Sequence, residues 1–297
     1  MKWHGVMPAI TTPFSPELAV DHPFLRRHVG WLVDQGCTGM VALGSLGEGA
    51  TLRFQEKLAV LDSCREALAG RAPLVAGIAA LSTAEAVELA RAAEQAGCAG
   101  LMVLPPYVYR GDWRETAAHF RAVIGATPLS CMLYNNPIAY GTDVAPEQLA
   151  ELAAELPNLH AVKESSADAR RITAVRSLLA ERLAILVGVD DLIVEGVGAG
   201  AVGWIAGLVN ALPRESVQLF ELARAGRHEE ARRLYEWFLP LLRLDTVPKF
   251  VQLIKLVQEE VGMGSQRVRP PRLPLEGAER ETTLGLIRHA LASRPAG

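Results

Sequence analysis

Eight short apolar runs, each closed off by glycine, proline or polar residues, recur along the chain with helix-length segments between them. They are Gly5–Thr12, Gly39–Gly44, Leu74–Ala79, Gly100–Pro105, Leu129–Asn135, Leu159–Ser165, Leu183–Val189 and Val202–Val209. None alternates polar with apolar residues, so both faces of each strand are expected to be covered, as in parallel sheets. The segments between them carry helical spacing. Phe24, Leu25, His28, Val29, Leu32 and Val33 follow Asp21 as an N-cap, and Ala84–Ala96 opens after Ser82-Thr83 and stops at Gly97. Strands alternating with helices are βαβ units, and eight of them predict a (β/α)8 barrel.

Such a barrel takes about 250 residues, and the chain has 297. The surplus is C-terminal. Helices are predicted over Arg214–Ala225, His228–Leu242, Val247–Val261 and Glu279–Leu291, with the Pro-rich Arg269–Pro274 before the last. Residues 1–225 are therefore read as the barrel, and 226–297 as a helical extension packed on it within the same structural unit. A doubly wound open sheet is the competing fold, but no G-x-G-x-x-G follows any predicted strand.

Half of the residues are apolar, and the net charge is −3, so no basic footprint for nucleic acid or an anionic membrane is present. The longest uncharged apolar stretch, Gly196–Val209, is too short to span a bilayer. The opening Met1–Gly5 has no apolar signal core, which predicts a cytoplasmic protein. Cys37, Cys64, Cys98 and Cys131 lie far apart with no CxxC and no paired histidine, so they are read as buried small residues and no metal is expected.

Chemistry is expected at the C-terminal ends of the strands. Only five of the 30 basic residues are lysines, and one of them, Lys163, falls inside the apolar run Leu159–Ser165. A lysine amine kept out of water gives up its proton more readily and becomes a nucleophile for carbonyl or imine carbon. The alternatives are an ion pair, for instance with Glu164, or a side chain that snorkels to the surface. Gly44-Ser45-Leu46-Gly47-Glu48-Gly49 can offer backbone N–H groups and the Ser45 hydroxyl to an anion. It lacks a P-loop lysine, which points to a carboxylate rather than a triphosphate; an ordinary βα turn is the alternative. Tyr134, in Tyr134-Asn135-Asn136-Pro137, is read as a proton carrier or as a core aromatic with a satisfied hydroxyl. Asp190 and Asp191 could ligate a metal, but with no partnering histidine they are expected to cap a helix.

A nucleophilic lysine, a tyrosine and an anion-binding loop on neighbouring strand ends make a class I aldolase-type site. Over nearly its whole length the chain resembles the dihydrodipicolinate synthase / N-acetylneuraminate lyase family. The motifs that carry the resemblance are Gly44–Glu48 with Ala50-Thr51-Leu52, Tyr134–Pro137 and Val162-Lys163-Glu164-Ser165. The resemblance implies a Schiff base on Lys163 and proton transfer by Tyr134. It further implies 2-oxo-carboxylate binding by Ser45 and the backbone of Leu46 and Gly47, with Asn136 and the backbone of Ile205 completing the contacts. Because the iminium is the electron sink, neither a metal nor an organic cofactor is needed. A homotetramer, as a dimer of dimers, is implied as well.

Three departures narrow the substrate. Leu46 stands where the family usually has a second hydroxyl. The arginine that the synthases place after Tyr-Asn-x-Pro is absent from Ile138-Ala139-Tyr140-Gly141. Their tyrosine pair appears here as Tyr107-Val108-Tyr109. Within the family the chain is similar to the bacterial 1-pyrroline-4-hydroxy-2-carboxylate deaminases of hydroxyproline breakdown, through Met1-Lys2-Trp3, Tyr134–Pro137, Lys163–Ser166 and Arg269–Leu275. In that reading Lys163 attacks C2 of the ring imine, Tyr134 helps remove a C3 proton and the C4 hydroxyl leaves as water. Hydrolysis then gives ammonia and 2-oxoglutarate semialdehyde. The alternatives are 4-hydroxy-tetrahydrodipicolinate synthase, a 2-keto-3-deoxy sugar-acid aldolase or dehydratase and, from another class, a non-catalytic ligand-binding barrel.

Overall fold

The computed structural model describes residues 1–295, so the last two positions of the expected extension lie outside the described residues. Eight strands form one sheet: β1 (Gly5–Pro8), β2 (Met40–Ala42), β3 (Leu74–Ile78), β4 (Gly100–Val103), β5 (Ser130–Asn135), β6 (Leu159–Glu164), β7 (Ala184–Val187) and β8 (Gly203–Ala206). Their order is β1-β8-β7-β6-β5-β4-β3-β2, and each neighbouring pair is parallel. A parallel bridge from Ala9 to Val41 joins β1 to β2 and closes the ring. The fold is the (β/α)8 barrel, and all eight predicted strands occur within their predicted runs. Each ladder is shorter than its apolar run. Ala9–Thr12, for example, stay buried after β1 has ended at Pro8, because the chain turns over the barrel mouth without leaving the core.

The helices are α1 (His22–Asp34), α2 (Phe54–Leu68), α3 (Thr83–Gln95), α4 (Trp113–Ile124), the short α5 (Pro137–Tyr140), α6 (Pro146–Glu155), α7 (Arg170–Leu179), α8 (Ile193–Gly198), α9 (Pro213–Arg224), α10 (His228–Leu242), α11 (Phe250–Glu260) and α12 (Gly277–Ala292). The predicted caps are made: Asp21 accepts from the Phe24 amide and Ser82 from that of Glu85. Such side-chain caps satisfy amide groups that the helix itself leaves open.

The extension α10–α12 packs back on its own chain. Phe238 and Leu241 are fully buried, and Trp237 donates its indole N–H to the Ala290 carbonyl of α12 at 2.9 Å. The residue types alone would call for a covering surface. These positions find their burial within the chain, because α12 covers α10. Among the described residues no helix is long and apolar enough to cross a membrane.

Candidate functional site

Tyr134 on β5 and Lys163 on β6 are register partners, so the parallel ladder sets them side by side at the C-terminal end of the barrel. Lys163 is 6% exposed, and its Nζ lies 4.1 Å from the centroid of the Tyr134 ring. The path of this side chain depends on Gly188. A Cβ there would come within 2.5 Å of Lys163 Cε and 2.0 Å of Ser165 Oγ, closer than atoms pack. The suggested pairing of Lys163 with Glu164 is not made. Strand alternation sends Glu164 to the other face, where its carboxylate accepts from Asn135 Nδ2 at 3.1 Å and from the Ser166 amide at 2.7 Å. Burial raises the Glu164 carboxyl above the ordinary range against those hydrogen bonds.

Asn136 N-caps α5 by accepting from the Ala139 amide at 3.0 Å, and its Nδ2 donates to the Tyr134 hydroxyl at 3.0 Å. The turn so fixed delivers Tyr140, which the sequence reading did not single out. The Tyr140 ring meets that of Tyr134 edge-on, with centroids 5.6 Å apart at 84°, and its hydroxyl is hydrogen-bonded to Ser45 Oγ. Burial, then the neighbouring Tyr134, push the Tyr140 phenol well above its usual value, against the Ser45 bond. The available signal was its place six residues after Tyr134 in the same strand-end loop.

Ser45 begins a tightly folded turn after β2. A Cβ on Gly49 would sit 2.1 Å from the Leu43 carbonyl oxygen, and one on Gly47 2.8 Å from that of Ile10, so these positions need glycine for close approach. Leu46 is buried, leaving its backbone rather than its side chain for a ligand. Thr12 Oγ1 donates to the Gly47 carbonyl at 2.6 Å. Glu48, at φ +53° and fully buried, accepts from Lys255 Nζ at 2.6 Å and from the Arg269 amide at 2.9 Å. The extension therefore clamps this turn from behind. Ile205 lies on β8, in register with Met7 of β1.

One expectation is corrected. Asp190 does not cap a helix: its buried carboxylate accepts from Trp204 Nε1 and from the Gly207 and Leu208 amides at 2.8–3.1 Å. It ties the end of β7 to the end of β8, because those amides face it across the gap. Asp191 uses its carbonyl to accept from the Tyr235 hydroxyl at 2.5 Å. The four cysteines are buried and free, and burial pushes each thiol up to about 12, which leaves them unreactive. Two open cavities of about 340 and 300 Å³ lie elsewhere, the first against Glu215 and Arg294, the second against Leu81 and Tyr109. Neither has Lys163, Tyr134 or Ser45 in its wall.

A family model described as the dihydrodipicolinate synthetase family matches residues 2–290. The 4-hydroxy-tetrahydrodipicolinate synthase of Methanopyrus kandleri is 33% identical over 288 residues, 97% of this chain and 95% of that one. The fold superposes on a dihydrodipicolinate synthase of Bacillus anthracis with a TM-score of 0.94 at 25% identity, over 100% of both chains. It also matches the chloride-inhibited dihydrodipicolinate synthase of Acinetobacter baumannii complexed with pyruvate, with a TM-score of 0.90 at 29% identity over 97% and 98% of the two chains.

Proposed function

The chain belongs to the dihydrodipicolinate synthetase family, and on that premise we propose that Lys163 forms a Schiff base with a 2-oxo acid or its cyclic imine while Tyr134 moves the proton. The activity is of the class I, Schiff-base aldolase type. The observation that carries the assignment of Lys163 is a lysine on a buried strand whose Nζ lies over the Tyr134 ring, with no protein hydrogen-bond partner among the described residues. Ser45, the backbone of Leu46 and Gly47, Asn136 and the backbone of Ile205 are proposed to hold the substrate. Residues 226–295 are proposed to form one structural unit with the barrel, on the strength of the Lys255–Glu48 contact. Borohydride reduction in the presence of pyruvate should leave a stable adduct on Lys163. An adduct on another residue, or full activity in Lys163→Ala, would remove the proposal.

The relatives' names put 4-hydroxy-tetrahydrodipicolinate synthase first among the finer readings. A feature of the loop supports it: the Arg110 guanidinium carbon lies 2.2 Å from where a Cβ on Gly141 would stand. An arginine from another loop is thus set beside the stretch where the synthases carry theirs. A different observation favours the 1-pyrroline-4-hydroxy-2-carboxylate deaminase. Ile138 and Ala139 are neutral, and two buried acids, Asp190 and Asp245, lie within electrostatic reach of Lys163. Acids so placed suit a small imino acid with one carboxylate better than a partner bringing a second. Condensation of pyruvate with aspartate semialdehyde, assayed beside ammonia release from the cyclic imino acid, decides between the two. A sugar-acid aldolase or dehydratase would turn over neither, and a binding barrel would yield no adduct at all.

A further inference from the structure

Asp245 closes a short turn, Arg243–Asp245, between α10 and α11, far in sequence from every motif of the site. Its backbone lies in a solvent-facing turn, but its carboxyl reaches inward over the end of β8. Oδ1 falls 2.0 Å and Cγ 2.4 Å from where a Cβ on Gly207 would be, so the carboxyl fills the space that a glycine at 207 leaves open. Oδ1 is shut off from solvent, and no hydrogen-bond partner reaches it among the described residues. Leaving such an atom unpaired is costly, and each case in a folded protein calls for a reason.

Its neighbours supply one. Asp190, bound by Gly207 N–H from the other side, already has its oxygens occupied by Trp204, Gly207 and Leu208. Of this pair Asp245 is the member left without a bond. Burial first, then Asp190, raise the Asp245 carboxyl well above the usual range, while Lys163 pulls it down. The carboxyl thus sits over the end of β8, at the same barrel mouth as Lys163, with Oδ1 left unpaired among the described residues and able to take a hydrogen bond. Tyr134 approaches Lys163 from β5, whereas Asp245 approaches from the side of β7 and β8.

We infer that Asp245 is a substrate-contacting residue that receives a hydroxyl on the carbon chain of a 2-oxo acid held by Lys163. This rests on the Schiff-base reading given above and extends it to the substrate's tail. A hydroxyl can donate a hydrogen bond to the unpaired carboxyl oxygen. A second carboxylate there would meet Asp190 instead.

The test is borohydride trapping of the purified protein with pyruvate, 2-oxobutyrate and 4-hydroxy-2-oxobutyrate, the adduct mass identifying which acid was captured. The wild type should reach half-maximal trapping with the hydroxylated acid at about a tenfold lower concentration than with 2-oxobutyrate, the size of one hydrogen bond to such a group. Asp245→Ala should reduce that preference to within about twofold, read as the ratio of the two half-maximal concentrations so that any general effect on Lys163 cancels. Asp245→Asn, which keeps the shape and should fold if the alanine variant does not, should retain only part of the preference. An alanine variant that traps pyruvate normally and still prefers the hydroxylated acid overturns the inference, as does a wild type with no preference. Absence of a pyruvate adduct on the wild type would instead overturn the Lys163 reading beneath it.

Discussion

Lys255 Nζ donates to Glu48 Oε1, to the Thr12 carbonyl at 2.8 Å and to the Arg267 carbonyl at 2.7 Å, so all three of its N–H directions are used. Burial lowers it to about 8 against the pull of Glu48, and it remains a tether. Lys163 is also enclosed, but no protein hydrogen bond holds its nitrogen among the described residues and the Tyr134 ring face lies beside it, which leaves it open to an electrophile. Burial alone therefore does not make a lysine a nucleophile; an unsaturated shell does. The same logic separates the two tyrosines. Tyr134→Phe should lower kcat by roughly 10²–10⁴, the range of a positioned acid–base group. Tyr140→Phe keeps the ring packing and breaks only the link to Ser45, so a fall of roughly tenfold is expected. Steady-state rates of the two variants, with circular dichroism to verify folding, check both. Unchanged turnover in Tyr134→Phe would make that residue packing, and unchanged turnover in Tyr140→Phe would send the proton by another route.

The turn after β2 shows how a loop is held by elements remote in sequence. Arg269, just before the cis-linked Pro270-Pro271 pair, grips Glu56 of α2 with Nη2 at 2.6 Å and Nη1 at 3.0 Å while its guanidinium lies over Phe14. Hydrogen bonding from Arg269 is the main reason that the Glu56 carboxyl drops from 4.5 to about 2. A depressed carboxyl stabilises the fold fully above its unfolded value and loses that contribution as the pH falls through its folded one. The midpoint temperature should therefore decline between about pH 4.5 and 2 more steeply in the wild type than in Glu56→Gln; parallel acid limbs for the two proteins would refute this. The strands and most helices were legible because each depends on local patterning: continuous burial for the strands, cap residues at the helix starts. Lys163 and Tyr134 were legible because strand ends are predictable in a barrel. Lys255, Tyr140 and Asp245 were not, since their roles depend on where α11, α5 and the turn after α10 come to lie, which spacing does not encode. The capping role expected of Asp190 failed for the same reason: its partners are amides of a strand end some 17 residues away.

At the scale of the whole molecule, the apolar residues of α10 are covered by α12, so they supply no surface for assembly. Among the exposed apolar side chains, Leu81, Val108 and Tyr109 follow the ends of β3 and β4. Leu81 is 72% and Val108 80% exposed, and Leu81 shares the wall of the 300 Å³ cavity with Tyr109. Val108 also adopts φ +76°, a conformation that a β-branched residue reaches only against steric resistance. Strain of this kind persists where surrounding structure or function requires it, and a solvent-facing loop tip offers no such reason by itself. A second copy of the chain seated on this face would bury Leu81 and Val108 together and give the strained loop its support. We therefore expect the homotetramer implied by the family resemblance to use this face, with light scattering at micromolar concentration reporting four times the mass of one chain. Leu81→Glu combined with Val108→Glu, which alters neither Lys163 nor its neighbours, should shift the mass to smaller species while the secondary structure is kept. A monomeric wild type would dispose of the tetramer, and a doubly substituted protein that stays tetrameric would move the interface to another face.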